Sequence, residues 1–189
     1  MTVPLGNALH GAFLLARGRP EGLLLIAALP EAEMATAGRS FWAIAVCLPA
    51  FLCLHLLDWS DNGVPAEPAQ ALTLDLLSYV IGWVGFALLS HRVAGQMGRG
   101  ALWPRFIAVW NWCNVVQYMM LVTAALAALL DVPDLLAQTL WLVAFGWAMW
   151  LEWYATRLAL AVPGGPAAVL VALDFALGIF LVGLTGSPG

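Results

Sequence analysis

Residues 91–105, His91-Arg92-Val93-Ala94-Gly95-Gln96-Met97-Gly98-Arg99-Gly100-Ala101-Leu102-Trp103-Pro104-Arg105, decide how this chain folds. The stretch holds Arg92, Arg99 and Arg105 with Gly95, Gly98 and Gly100, and it separates two long apolar segments, residues 71–90 and 106–130. A polar connection between such segments reads as a loop at one face of a membrane. The remaining arginines fall on the same side of the pattern. Arg17, Arg19 and Arg39 precede the first apolar segment, and Arg157 lies at the end of the fourth. The alternate connections carry only acids: Asp58, Asp61 and Glu67, then Asp131 and Asp134. All 7 basic residues therefore lie on one side of five apolar segments, which is the positive-inside pattern.

Composition agrees. The chain is 63% hydrophobic and 10% charged, too little charge for the surface of a soluble domain. Its net charge of −4, without any basic stripe, speaks against nucleic acid as a partner. Cys47, Cys53 and Cys113 sit inside apolar segments without CxxC spacing, so neither a disulfide framework nor a metal site is expected. Arg17 and Arg19 follow the first apolar stretch rather than precede it, unlike a secretory signal. Abundant Ala, Leu, Gly and Arg without Lys point to a GC-rich bacterial genome, hence to the inner membrane.

The expected fold is all-α, a polytopic membrane protein. Residues 1–39 form a cytoplasmic or interfacial arm, and residues 40–189 a bundle with spans at 41–58, 71–90, 106–130, 135–160 and 167–185. In the arm, Leu5, Leu9, Ala12, Phe13 and Ala16 repeat at helical spacing and predict a short amphipathic helix on the interface. Residues 22–29 are apolar but too short to cross, and read as an interfacial turn ending at Pro30. Glu31, Glu33 and Arg39 then return the chain to water, and Pro49 predicts a kink in the first span. The N-terminus is expected in the cytoplasm and the C-terminus in the periplasm.

Polar residues inside the spans are the candidate site. Asn111, Asn114 and Tyr118 share a face of the third span at i, i+3, i+7, with Gln117 adjacent. Glu152 continues a stripe of Ala144, Ala148, Thr156 and Ala159 on the fourth, and Asp174 lies mid-way along the fifth. A charged group at the centre of a bilayer costs at least about 2.5 kcal/mol on insertion scales, so Asp174 should face the bundle interior. One reading is a proton or cation site. The plainer one is interhelical hydrogen bonding between polar groups and small residues. Nearer the outer face, His55 and Asp75 can meet across antiparallel helices as a proton-accepting pair, or stand separately, with His55 at the interface and Asp75 near a helix N-terminus.

Asp58-x-x-Asp61 approaches the DxxDG that opens the motif of membrane phosphatidyltransferases, but Asn62 interrupts it and the later aspartates are missing. Asp131 reads as an N-cap with Asp134 at N3. GxSxG, HExxH, Walker and GxGxxG motifs are absent, and no cofactor is implied. Trp110, Trp112, Trp147, Trp150 and Trp153 read as packing or lipid contacts.

Five spans with a cytoplasmic arm and a short outer tail resemble the Yip1-like arrangement over residues 40–185. The strings Arg39-Ser40-Phe41-Trp42-Ala43 and Asn111-Trp112-Cys113-Asn114-Val115-Val116-Gln117 resemble small bacterial inner-membrane proteins. This likeness implies a five-helix fold and association with membranes or with GTPase partners, and carries over no functional residue.

The leading expectation is a non-enzymatic protein that organises membrane or protein partners through its helices, alone or as a homo-oligomer. The second is a small transporter or transporter subunit using the Asp174 region. The third is a lipid-modifying enzyme. A closed, dry bundle with Asp174 bonded to Asn111 or Asn114 would favour the first. A passage reaching Asp174 would favour the second. A groove opening from lipid toward His55, Asp58 and Asp75 would favour the third.

Overall fold

The computed structural model of the chain describes residues 4–27, 32–128 and 132–185. Among these residues every regular element is helical. The arm contributes α1 (Leu5–Ala16), α2 (Gly22–Ile26) and α3 (Glu33–Ser40). The long helices are α4 (Trp42–Asn62), α5 (Pro68–Gln96), α6 (Trp103–Ala128), α7 (Asp134–Leu160) and α8 (Gly164–Thr185). Five helical runs are long and apolar enough to cross a membrane, α3 and α4 counting as one run, Glu33–Asn62.

The α3–α4 continuity departs from the expected arm boundary at residue 39. Phe41 holds helical dihedrals (φ −64°, ψ −11°), so the helical path passes through it. The small side chains of Thr36, Ala37 and Ser40 are buried where α3 packs on α6. Pro49 lies within α4, whose helix continues on both sides of it. Leu29, Pro30 and Glu31, the expected end of the interfacial turn, lie outside the described residues, as does Asp131. The expected capping box is not what starts α7. Pro133 is the extended N-cap residue (ψ 139°) and Asp134 opens the helix, where its charge favours the positive end of the dipole.

The second helical run extends beyond residue 90 because nothing in 91–96 breaks it. It stops at Gly98, which holds φ +69°, the left-handed conformation that only glycine adopts freely. There the Arg99 N–H donates to the Ala94 carbonyl at 2.7 Å. A short 3₁₀ turn, Gly100–Leu102, then feeds α6, where Pro104 sits in the first turn and leaves no interior hydrogen bond unmade.

α6 is the central post. Of its apolar window 56% is buried, against 17–22% for the other four runs. It packs on α7, α4, α3 and α1, while α8 closes the bundle against α5 and α7. The α7 face toward the interior is the stripe Ala144, Ala148, Glu152, Thr156 and Ala159, whose small residues let the helices approach closely. The outer surface is apolar, with Leu88, Leu142, Phe180 and Val182 more than half exposed. A soluble protein would not carry such a surface around its whole girth.

α1 and α2 form a helical hairpin packed on α6 rather than a separate helix. The buried α1 face is Ala8, Gly11, Ala12, Leu15 and Ala16, while Leu5 and Phe13 remain exposed. The buried face is built mainly of small residues, which allow the close approach of α2. The Tyr154 hydroxyl of α7 donates to the Gly18 carbonyl at 2.9 Å and pins the hairpin to the bundle.

Candidate functional site

A cavity of about 400 Å³ lies inside the bundle and draws on all five long helices. That volume falls within the ordinary range for ligand pockets. α4 contributes Phe51 and His55, and α5 contributes Asp75, Tyr79 and Trp83. α6 presents Trp110, Asn114, Gln117 and Tyr118 at i, i+4, i+7, i+8 spacing, which is one face of a helix. Glu152 comes from α7, and Asp174 and Phe175 from α8.

The two acids meet. The Glu152 and Asp174 side chains interact directly, and Trp110 joins the pair. Trp110 Nε1–H donates to Asp174 Oδ2 at 3.3 Å, near the long end of hydrogen-bond geometry. Glu152 is only 7% exposed, and its Oε1 is buried without a hydrogen-bond partner. Asp174 is 10 residues into α8, so it stands ~15 Å from the start of that helix. Asn114 turns its amide back to the Trp110 carbonyl at 3.0 Å, and Gln117 bridges to the Ala148 carbonyl of α7 at 2.8 Å.

Toward the acidic end of the bundle, His55 Nε2 lies 3.5 Å from Asp75 Oδ2. His55 Nδ1 lies 3.1 Å from the Phe51 carbonyl. A carbonyl only accepts, so Nδ1 carries a hydrogen in that bond. A second space, about 860 Å³, adjoins the first at His55 and Val182 and is lined by Asp58, Asp61, Gln138 and Trp141. Asn62 donates to Asp58 at 2.8 Å. Among the described residues, no three His, Cys, Asp or Glu side chains group as a metal would require.

Asn111 is not part of this cavity. Its Nδ2 donates to Ser40 Oγ at 2.6 Å, and Ser40 Oγ donates to the Ala37 carbonyl at 2.7 Å, all in a buried contact between α6 and α3. The structure thus brings together Asn114, Gln117, Tyr118, Glu152 and Asp174, adds the His55–Asp75 pair, and leaves Asn111 out of the cavity lining, bonded to Ser40 of α3. Trp110, read from the sequence as packing, is the residue that touches Asp174. The signal was the i, i+4, i+8 spacing of Trp110, Asn114 and Tyr118.

Ser40→Ala tests the Asn111 contact. It strands a buried amide N–H, and thermal unfolding should show a loss of about 1–3 kcal/mol. Ser40→Thr, which keeps the hydroxyl, should recover part of it. Equal stability of Ser40→Ala and wild type would remove Asn111 as a structural tie.

The arginines gather at the other end. Arg105 Nε and Nη2 both donate to the Ala159 carbonyl, at 2.9 and 2.5 Å, satisfying a carbonyl in the last turn of α7. Arg157 lies 4.7 Å over the Trp153 ring. One end of the bundle is therefore basic and the other acidic.

Comparison with protein-family models, curated proteins and solved structures finds no match to this chain. The class is defined by the fold and the cavity: an all-helical bundle with five helical runs long and apolar enough to cross a membrane, and an open cavity lined by two acids, Glu152 and Asp174.

Proposed function

We propose that the protein is a multi-pass membrane protein acting as a small transporter or transporter subunit, with a protonatable site formed by Asp174 and Glu152. One observation carries the reading: an open cavity is lined by both acids, Glu152 from α7 and Asp174 from α8, and Glu152 is only 7% exposed. Pure interhelical bonding would have paired Asp174 with Asn111 or Asn114 in a closed interior. Both asparagine amides donate elsewhere. The carboxyl pair has no arginine beside it in the cavity lining, and two bare carboxylates in a low-dielectric space repel strongly. A proton or a cation between them relieves that repulsion.

Infrared difference spectroscopy of the protein in nanodiscs, between acidic and alkaline buffer, tests the reading. A protonated-carboxyl band that comes and goes with pH and is altered in Glu152→Gln is the expected result. A band that ignores pH returns the acids to structural glue.

The lipid bilayer is the first partner, matched by the apolar outer surface. The one-sided arginines support insertion with the N-terminus in the cytoplasm of a bacterium and the C-terminus in the periplasm. Cysteines introduced at Val64 and Gln96, both exposed and separated by α5, should separate under an impermeant maleimide in a background lacking the native thiols. In spheroplasts, position 64 should label and position 96 should stay protected until the membrane is opened. The reverse pattern inverts the topology, and identical labelling removes α5 as a span.

A further inference from the structure

The same cavity combines acids with aromatic faces, and it is the combination that points to a ligand. Trp83 and Trp110 pack edge to face with ring centroids 5.0 Å apart, and Tyr79 stands between Trp83 (6.1 Å) and Tyr118 (6.3 Å). These rings line the space into which Glu152 and Asp174 face. Aromatic faces attract cations with apolar substituents, and more strongly once both are desolvated. A hydrated inorganic cation gains little from such walls. An anion meets two acids and no arginine in the lining.

We infer that this cavity binds an organic ammonium monocation with an aromatic or branched apolar body, and exchanges it for a proton on the Glu152–Asp174 pair. The inference rests on the protonatable-site reading above and supplies its substrate class. The acids do not stand alone, because Glu152 is more than nine-tenths buried and lines the same cavity as the aromatic rings. The approach suits a cation too. Asp58 and Asp61 line the adjoining space, and the His55–Asp75 pair stands where the two spaces meet, so a positive ligand is drawn inward from the acidic end of the bundle.

The titratable groups facing the cavity are His55 on α4, Asp75 and Tyr79 on α5, Tyr118 on α6, Glu152 on α7 and Asp174 on α8. Charge balances if one proton leaves the carboxyl pair as one monocation enters. Protons and cation then compete, and binding weakens as the pH falls.

Equilibrium dialysis of radiolabelled benzyltrimethylammonium against the full chain in nanodiscs, with empty nanodiscs as the blank, is the test. Excess unlabelled benzyltrimethylammonium should displace the label. Neopentylbenzene, its uncharged isostere, should need at least about tenfold more, as the cation–aromatic contribution implies. Asp174→Asn and Trp110→Leu should each weaken binding about tenfold or more, and acid should weaken it in the wild type. Trp110→Phe, which keeps a ring but loses the N–H, should fall between, and thermal unfolding checks that each variant is folded. Absence of binding, or equal displacement by the isostere, overturns the inference. If the infrared band still follows pH in that case, the protonatable site stands and only its substrate class is lost. If the band ignores pH, the underlying reading falls as well. Binding that ignores pH removes the exchange step.

Discussion

Asp174→Asn should change proton binding at the carboxyl pair, leaving Glu152 as its one titrating group, while leaving the protein folded. An amide does not titrate in the relevant range, yet its oxygen still accepts from Trp110 Nε1–H, the bond at 3.3 Å in the wild type. The fold should therefore lose no more than about 0.6–2 kcal/mol, the scale of interhelical polar contacts in bilayers. A hydrophobic carbodiimide, which modifies protonated carboxyl groups in apolar surroundings, gives the readout. Mass spectrometry should find it on Glu152 or Asp174 in the wild type, less at alkaline pH, and the pH dependence of labelling should shift in Asp174→Asn, because Glu152 no longer shares the site with a second carboxyl. Asp174→Leu supplies the contrast, losing the acceptor as well and loosening the α6–α8 contact. An Asp174→Asn protein that labels and titrates like wild type would sink the site.

Gly22→Ala should open the N-terminal hairpin. A Cβ at position 22 would collide with the Gly11 carbonyl oxygen and lie 2.9 Å from the Leu15 amide nitrogen and 3.0 Å from Leu14 Cβ. Two of those atoms are backbone and cannot rotate aside, so α1 and α2 must part. Overpacking of this kind costs about 1–3 kcal/mol, occasionally more. Hydrogen exchange across residues 5–26 should accelerate by roughly tenfold to a hundredfold, since local opening follows that free energy. Gly6→Ala is the control. Nothing lies within 4 Å of its added Cβ, and alanine in place of glycine inside a helix gains about 0.5–1 kcal/mol. Unchanged exchange in Gly22→Ala would show that the hairpin is not built on the Gly11–Gly22 approach.

The candidate site was legible in part. Glu152 and Asp174 stand out because ionisable groups are rare in apolar segments, and Gln117 and Tyr118 stand out there as polar side chains. Asn111 and Asn114 look equivalent from the sequence, three positions apart on α6. They are not. A helix turns about 100° per residue, so three positions leave the two side chains roughly 60° apart. The post-like position of α6, packed on both α3 and α7, is enough to send one to Ser40 and the other to the cavity wall. Trp110 was hidden by its composition, since a tryptophan in an apolar helix is most often packing.

The sequence by itself determined the helical class, the number of apolar runs and the basic and acidic ends. These are sums over local segments: hydropathy accumulates along a run, and each arginine or aspartate marks its own connection whatever the neighbours do. The helices run past the expected limits where no residue breaks them, as in the α3–α4 continuity and the extension of α5. Only the tertiary structure decided which faces meet. The Trp110–Asp174 bond spans 64 positions, and the His55–Asp75 and Asn111–Ser40 contacts also join separate helices. Each depends on how the helices are ordered and how far each is rotated about its axis. That choice is made jointly by all the packed faces at once, by the smallest residues permitting closest approach, and no single segment encodes it.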